Sequence, residues 1–316
     1  MSCANPSSKP SVKLPSPWGP YALSFQLPGV SISFTGLSLS QHGSIAQRYA
    51  GFICQPDKVD DKSQFSCQAY KMNQVPDVPF SDLVRDGQYA PLQNRGSGVI
   101  DITGFDFRAS IPLDETYTTG SLGVVNEEEL SCPSVVENVL RVFTAYKAVE
   151  SGGVILHSAG LVYEEQAYIF VGRSNAGKTT LTVKAHKHGA KVLSDDINMV
   201  LPCANNSGYD AHAVPFTGEF GRTLEHADSR ECYPLAALVL LEQGELLEVT
   251  AVAPSDAVAK LLVGSPFVNM DTKQAPLLFD AVTALAAKVP VLRLQSVRDE
   301  PIENIMHAVK SRVSDV

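Results

Sequence analysis

The chain has 316 residues, 44% of them hydrophobic, 19% charged and 8% aromatic, with a formal net charge of −9. That balance supplies enough apolar surface for one large core or two modest ones. The negative charge argues against a sequence-independent nucleic-acid binder, which needs a basic face. The longest apolar run, 235–241, is too short to cross a bilayer. Six cysteines without metal or redox spacing read as free thiols of a reducing compartment. The expectation is a cytoplasmic protein with neither a membrane nor a nucleic-acid partner.

Residues 1–20 are rich in Ser, Pro and Lys, lack an apolar h-region, and read as a disordered tail rather than a secretory signal. From 21 to 34 the pattern alternates and is broken by Pro28-Gly29, which predicts short strands. The stretch 57–81 is polar and loop-like. Strand patterns return at 98–103 and 105–111, on either side of Gly104, and again at 116–125. No helix is expected in this part. Residues 21–128 are read as a β-rich lobe that carries no recognisable chemistry. The character changes at Cys132-Pro133, because proline suits the first position of a helix. Beyond it Val135, Val136, Val139, Leu140, Val142, Phe143 and Tyr146 recur at helical spacing, until Gly152-Gly153 ends the pattern after Glu150.

Three short strands are expected at 154–156, 160–163 and 167–171. The last two are separated by Glu164-Glu165-Gln166, a hairpin that leads into Gly172-Arg173-Ser174-Asn175-Ala176-Gly177-Lys178-Thr179-Thr180. This is the G-x-x-x-x-G-K-T phosphate-binding pattern, with a strand before it and a helix, 179–188, after it. Its glycines let successive N–H groups turn onto one phosphate chain, and the helix N-terminus adds its positive dipole end. Lys178 would reach the β- and γ-phosphates and the Thr179 hydroxyl would ligate Mg²⁺. A strand at 191–194 then ends in Asp195-Asp196 and continues through 198–201. Only one helix and one tight turn separate this pair from the loop, so its strand should share the sheet and face the same crevice. One carboxylate there can hold Mg²⁺ while the other accepts a proton from an attacking hydroxyl. His157, just after the first of the three strands, would sit at the mouth of that crevice. Further on, 205–208 is a turn and 212–225 is turn-rich and polar. A buried strand is expected at 235–241, helices at 255–263 and 275–288, a strand at 289–294 and a last helix at 301–310. This half reads as α/β.

The block Gly153-Val154-Ile155-Leu156-His157, Ala159-Gly160-Leu161-Val162, Ile169-Phe170-Val171-Gly172, Gly177-Lys178-Thr179-Thr180 and Val192-Leu193-Ser194-Asp195-Asp196 resembles the catalytic core of the HPr kinase/phosphorylase family. Phosphoenolpyruvate carboxykinases share that core. The resemblance spans 135–201 and, more loosely, 233 to the end. It implies a mixed sheet with a P-loop helix over 129–316, behind the β-rich lobe. It also implies an ATP-dependent, Mg²⁺-requiring kinase that moves the γ-phosphate to a hydroxyl, usually serine, of a protein, peptide or small molecule. On the matching positions, Lys178 and Thr179 would hold phosphates and metal, Asp196 would be the metal-side carboxylate and Asp195 the general base, or the reverse. His157 would lie near the metal or the transferring phosphate, Glu219 would be a further metal-shell residue, and Arg222 and Arg230 would be candidate phosphate clamps. The family further implies an oligomer. Asn175 stands where the family commonly has glycine, and asparagine tolerates the left-handed conformation better than other non-glycine residues. Glycine-arginine-rich stretches after the Asp pair, and cations suited to oxaloacetate decarboxylation, are not recognisable, which leaves the acceptor open. Two other readings are a shikimate-type metabolite kinase and a nucleotide-binding regulatory or assembly module without transfer. In the former the loop lies at the N-terminus, whereas here about 170 residues precede it.

Overall fold

The computed structural model describes residues 16–54, 64–74, 92–94, 98–104, 107–113, 118–125, 131–205, 207–218, 220–224 and 228–315. Mixed α/β, the chain forms two β-sheets on either side of one long helix. The first sheet collects β1 (Tyr21–Leu27), β2 (Val30–Leu37), β3 (Ile53–Cys54), β4 (Gln64–Lys71), β5 (Leu92–Asn94), β6 (Val99–Thr103), β7 (Phe107–Pro112) and β8 (Thr119–Val124). Their order is β3-β1-β2-β4-β8-β7-β6-β5, with β2–β4 and β4–β8 parallel and the other pairs antiparallel.

Three expectations for this half are corrected. Strand β4 lies inside the stretch read as loop: Phe65, Cys67 and Ala69 alternate inward along it, and that period of two outweighs its polar neighbours. Helix α1 (Leu39–Arg48) occurs where no helix was expected. Its sequence is polar, carries Gly43 and buries only Gln41 and Ile45, so no apolar stripe announces it. What fixes it is a capping box: Ser38 Oγ accepts from Gln41 N at 3.2 Å, and Gln41 Oε1 accepts from Ser38 N at 3.0 Å. Residues 16–20, read as tail, lie along this sheet, with Trp18 N donating to Gly36 O at 2.9 Å.

Helix α2 (Ser131–Glu150) is buried on several faces because it packs against both sheets and against α1. Phe143 meets Phe65 of the first sheet edge-to-face at 5.2 Å, whereas Val136, Val139 and Leu140 join the same core as Leu156 and Val200 of the second.

The second sheet begins with β9 (Val154–Tyr163), β10 (Gln166–Val171), β11 (Lys191–Ser194) and β12 (Ile197–Pro202). It continues with β13 (Tyr209–His212), β14 (Cys232–Gln243), β15 (Glu248–Ala251) and β16 (Val291–Ser296). Strand β9 is one continuous element, not two, and His157 lies within it, opposite Ile197. The hairpin into β10 turns at Glu164 and Glu165, whose φ values of 51° and 60° carry the positive signature of a type I′ turn. Strands β11 and β12 run along the same edge of β9, so the Asp195-Asp196 pair interrupts an otherwise extended partner of that strand. β10 also pairs in parallel with β14, and the β10-β9-β12-β13-β14 path closes on itself as a small barrel. Helices α3 (Lys178–Lys187), α4 (Pro254–Gly264), α5 (Ala275–Lys288) and α6 (Ile302–Ser314) cover this unit. β13 ends where the turn-rich stretch expected from 212 begins; the described residues of that stretch are turns and irregular backbone, but Ala213, Val214 and Phe216 are buried rather than polar surface.

Among the described residues, no helix is long and apolar enough to cross a membrane. Cys54, Cys67, Cys132, Cys203 and Cys232 are free thiols, and burial pushes the Cys67 thiol up to about 12.

Candidate active site

Strand β10 ends at Val171 and the chain turns through 172–177 into α3. The turn needs two left-handed residues: Asn175 at φ 66° and Gly177 at φ 105°. Asparagine meets the first requirement, as its short polar side chain allows. Gly172 is needed for another reason, since a Cβ there would lie 2.9 Å from Ala176 Cβ and 3.0 Å from Leu241 O. Gln243, at the end of β14, braces the loop by donating to Asn175 O at 2.8 Å. Lys178 is folded back into the loop, its ammonium donating to Gly172 O at 2.6 Å and Arg173 O at 3.0 Å. Burial lowers the Lys178 pKa, against the opposing charge of Asp196. A cation only 7% exposed and held by neutral carbonyls is poised to exchange them for an anion.

A cavity of about 1140 Å³ opens over this loop. Ser174, Asn175, Ala176, Gly177, Thr179 and Thr180 border it, while Gly172 and Arg173 contribute the carbonyls that hold Lys178. Its far side carries His157, Asp195 and Asp196, with Arg141 and Arg222 beside them. Arg230 is paired instead with Asp228 at the surface, at 2.7 Å, and Glu219 lies outside the described residues.

The two aspartates have different settings. Asp195 is 6% exposed, and both its oxygens accept from the backbone of one loop: Gly218 N at 2.6 Å and Phe220 N at 3.1 Å. That loop wraps the carboxylate so closely that a Cβ on Gly218 or Gly221 would come within 2.6 Å and 2.5 Å of its oxygens. Asp196 turns toward a cation and a ring. Its Oδ2 accepts from Arg141 at 2.7 Å, and its Oδ1 lies 3.1 Å from His157 Nδ1. Burial alone would raise the Asp196 carboxyl, but the His157 hydrogen bond and the Arg141 charge more than offset it and hold it below its ordinary value. His157 is 46% exposed at the cavity edge.

Arg141 is itself held from behind. Glu137 accepts from Arg141 at 2.6 Å with one oxygen, and from Arg48 at 2.6 Å and the Tyr49 hydroxyl at 2.9 Å with the other. Burial, then the Glu137 charge, pushes the Tyr49 hydroxyl well above its ordinary value, so it stays a donor. A continuous polar chain therefore runs Arg48–Glu137–Arg141–Asp196–His157, from the N-terminal lobe to the cavity. Glu137, Arg141, Gly218 and Gly221 were not among the expected site residues. One signal was visible: Glu137 and Arg141 are an i, i+4 pair of opposite charge inside an otherwise apolar helix.

No curated protein matches the chain in sequence. Among solved structures, the HPr(Ser) kinase/phosphatase from Coxiella burnetii is similar at 10% identity and a TM-score of 0.30, over 51% of this chain and 97% of that one. Residues 123–310, more than half of the chain and all of the cavity except its link to α1, match the family model described as SynChlorMet cassette protein ScmC, and the chain belongs to that family.

Proposed function

We infer that the cavity is a phosphotransfer site: it takes a nucleoside triphosphate, ATP in the simplest case, and passes the γ-phosphate to a hydroxyl. The observation that carries the reading is the meeting, across one cavity, of a glycine-rich loop with a retracted lysine and a carboxylate–imidazole pair. In this reading the loop amides and the N-terminus of α3 hold the phosphates, and Lys178 leaves its two carbonyls to stabilise charge on the transferring group. His157 Nδ1 donates to Asp196, which leaves Nε2 as proton acceptor. The acceptor O–H bond breaks with its proton passing to Nε2, the oxygen–phosphorus bond forms, and the nucleoside diphosphate departs with the electron pair of the broken bridge bond. Asp196, kept ionised by Arg141, orients the ring and balances the imidazolium that results. Asp195 positions the loop that holds Gly218 instead of acting as base.

Magnesium fits as an ion carried by the nucleotide. The exposed Thr179 hydroxyl in the first turn of α3 would hold it, and it would supply charge neutralisation on the phosphates. Both Asp196 oxygens already face donors, and among the described residues no three His, Cys, Asp or Glu side chains cluster as a metal site. Transfer from γ-labelled ATP to serine-bearing compounds tests the reading. His157→Gln should lower transfer by about 10²–10⁴-fold with nucleotide affinity retained, and unchanged transfer would remove the histidine from the chemistry.

A further inference from the structure

Beside the phosphate cavity, between the N-terminal lobe and the second sheet, lies a separate cavity of about 280 Å³. The buried Tyr49 and Phe52, just beyond α1, and the buried Leu193 and Val214 line it, with the half-buried Leu224 at its rim. Thr217 and Arg222 border both cavities, so one ligand reaching past them occupies the two together. The volume is about twice the ~150 Å³ in which an engineered apolar cavity holds benzene. That is room for a leucine or phenylalanine side chain and too little for a nucleotide. Arg222 stands exposed at the shared border, and among the described residues its guanidinium has neither an ion pair nor a hydrogen bond. Arg48, on the wall of the second cavity, is committed to Glu137 and Ser134. Through Glu137 and Arg141 that wall is joined to Asp196, so the pocket and the reacting pair are parts of one connected network.

We propose that this second cavity is the acceptor subsite: it receives a bulky apolar side chain of a peptide, next to the residue whose hydroxyl is phosphorylated, while a carboxylate of the same segment meets Arg222. The proposal rests on the phosphotransfer reading above. A chain-like acceptor is favoured over a compact metabolite because Thr217 and Arg222 stand between the two cavities, so the hydroxyl and its recognition group must lie on either side of them.

The test uses the full chain with Mg²⁺, γ-labelled ATP and serine peptides randomised at one flanking position at a time. Labelling should concentrate in peptides that carry a bulky apolar residue together with an acidic one. Leu224→Trp fills the pocket from its half-buried rim. It should cut labelling of those peptides about tenfold or more, the loss expected when a large apolar side chain stays in water, and move the preference to Gly and Ala. Leu224→Ala should move it toward Phe and Trp. Calorimetry should give both variants the ATP affinity of the parent. Equal labelling of all peptides, a preference that neither variant moves, or labelling of small hydroxyl compounds alone would overturn the proposal. If ATP binds and no peptide is labelled, the subsite fails and the nucleotide reading survives. If ATP does not bind, the phosphotransfer reading itself fails.

Discussion

Glu137 is the pivot between the two halves of the molecule, and replacing it with leucine isolates its contribution. The carboxylate is 6% exposed and accepts from three donors, two of them guanidinium groups at 2.6 Å. Removing one partner of a buried ion pair costs about 3–5 kcal/mol, because the other charge is left uncompensated in a poorly solvated place. Each orphan here has a fallback. Arg48 is 25% exposed and keeps Ser134 Oγ at 3.3 Å, the Tyr49 hydroxyl keeps Pro133 O at 2.9 Å, and Arg141 keeps Asp196. The cost should therefore fall at the lower end, about 3 kcal/mol. Urea unfolding measures it. With a slope near the upper end of ~1–3 kcal/mol/M, the midpoint should drop by about 1 M. The double variant Glu137→Leu/Arg141→Met takes out the stranded cation as well, so it should cost at least about 1 kcal/mol less than the sum of the two single variants. A loss under about 1 kcal/mol for Glu137→Leu, or simple additivity, would show that the network is solvated or loose and refute the argument.

Three further outcomes follow from the same geometry. Lys178→Met should weaken nucleotide binding about ten- to hundredfold by titration calorimetry, the worth of one charge-assisted contact, while thermal stability holds because only loop carbonyls lose a donor. Gly218→Ala puts a methyl 2.6 Å from Asp195 Oδ2, so calorimetric unfolding should show a loss of about 1–3 kcal/mol together with reduced transfer. The third concerns acid. Asp196 is held below its ordinary 3.8, so it adds stability that is fully present above that pH and is lost as pH falls through the lower folded-state value. The stability gap between the parent and Asp196→Asn should be constant above about pH 5 and narrow below about pH 4. A gap that stays the same across the series would mean that Asp196 titrates alike in the folded and unfolded chain.

The elements that sequence made legible were those whose burial has a period. The 275–288 segment and the long helix that contains Pro133 repeat apolar residues toward one core, and the 232–243 strand is apolar on both faces because its alternate residues enter two cores, so pattern and structure coincide. The glycine-rich loop 172–177 was legible for a different reason: its backbone demands, a left-handed residue at 175 and an unhindered one at 172, restrict the residue types directly. α1 and β4 were hidden because a short amphipathic element with two or three buried positions resembles a polar loop until its partner surface is known. The roles of the aspartates were hidden for a stronger reason. Adjacent carboxylates look alike in a sequence, and they diverge only because the backbone N–H groups of Gly218 and Phe220 take Asp195 while Arg141 and His157 take Asp196.

The difference between those carboxylates also explains why the candidate site depends on the lobe that carries no motif. Asp196 stays ionised at a half-buried position because the His157 hydrogen bond and the Arg141 guanidinium at 2.7 Å more than offset its burial. A guanidinium 8% exposed is itself expensive there unless a second anion shares it. Glu137 is that anion, and as a buried carboxylate it needs Arg48 and Tyr49 in turn. Each charge is tolerable because of the next: Glu137 and Arg141 are the buried middle of a series that reaches water at His157 on the cavity side and at Arg48, a quarter exposed at the end of α1, on the other. The electrostatic state of the cavity is thus terminated in the N-terminal lobe, on the same residues that wall the second pocket.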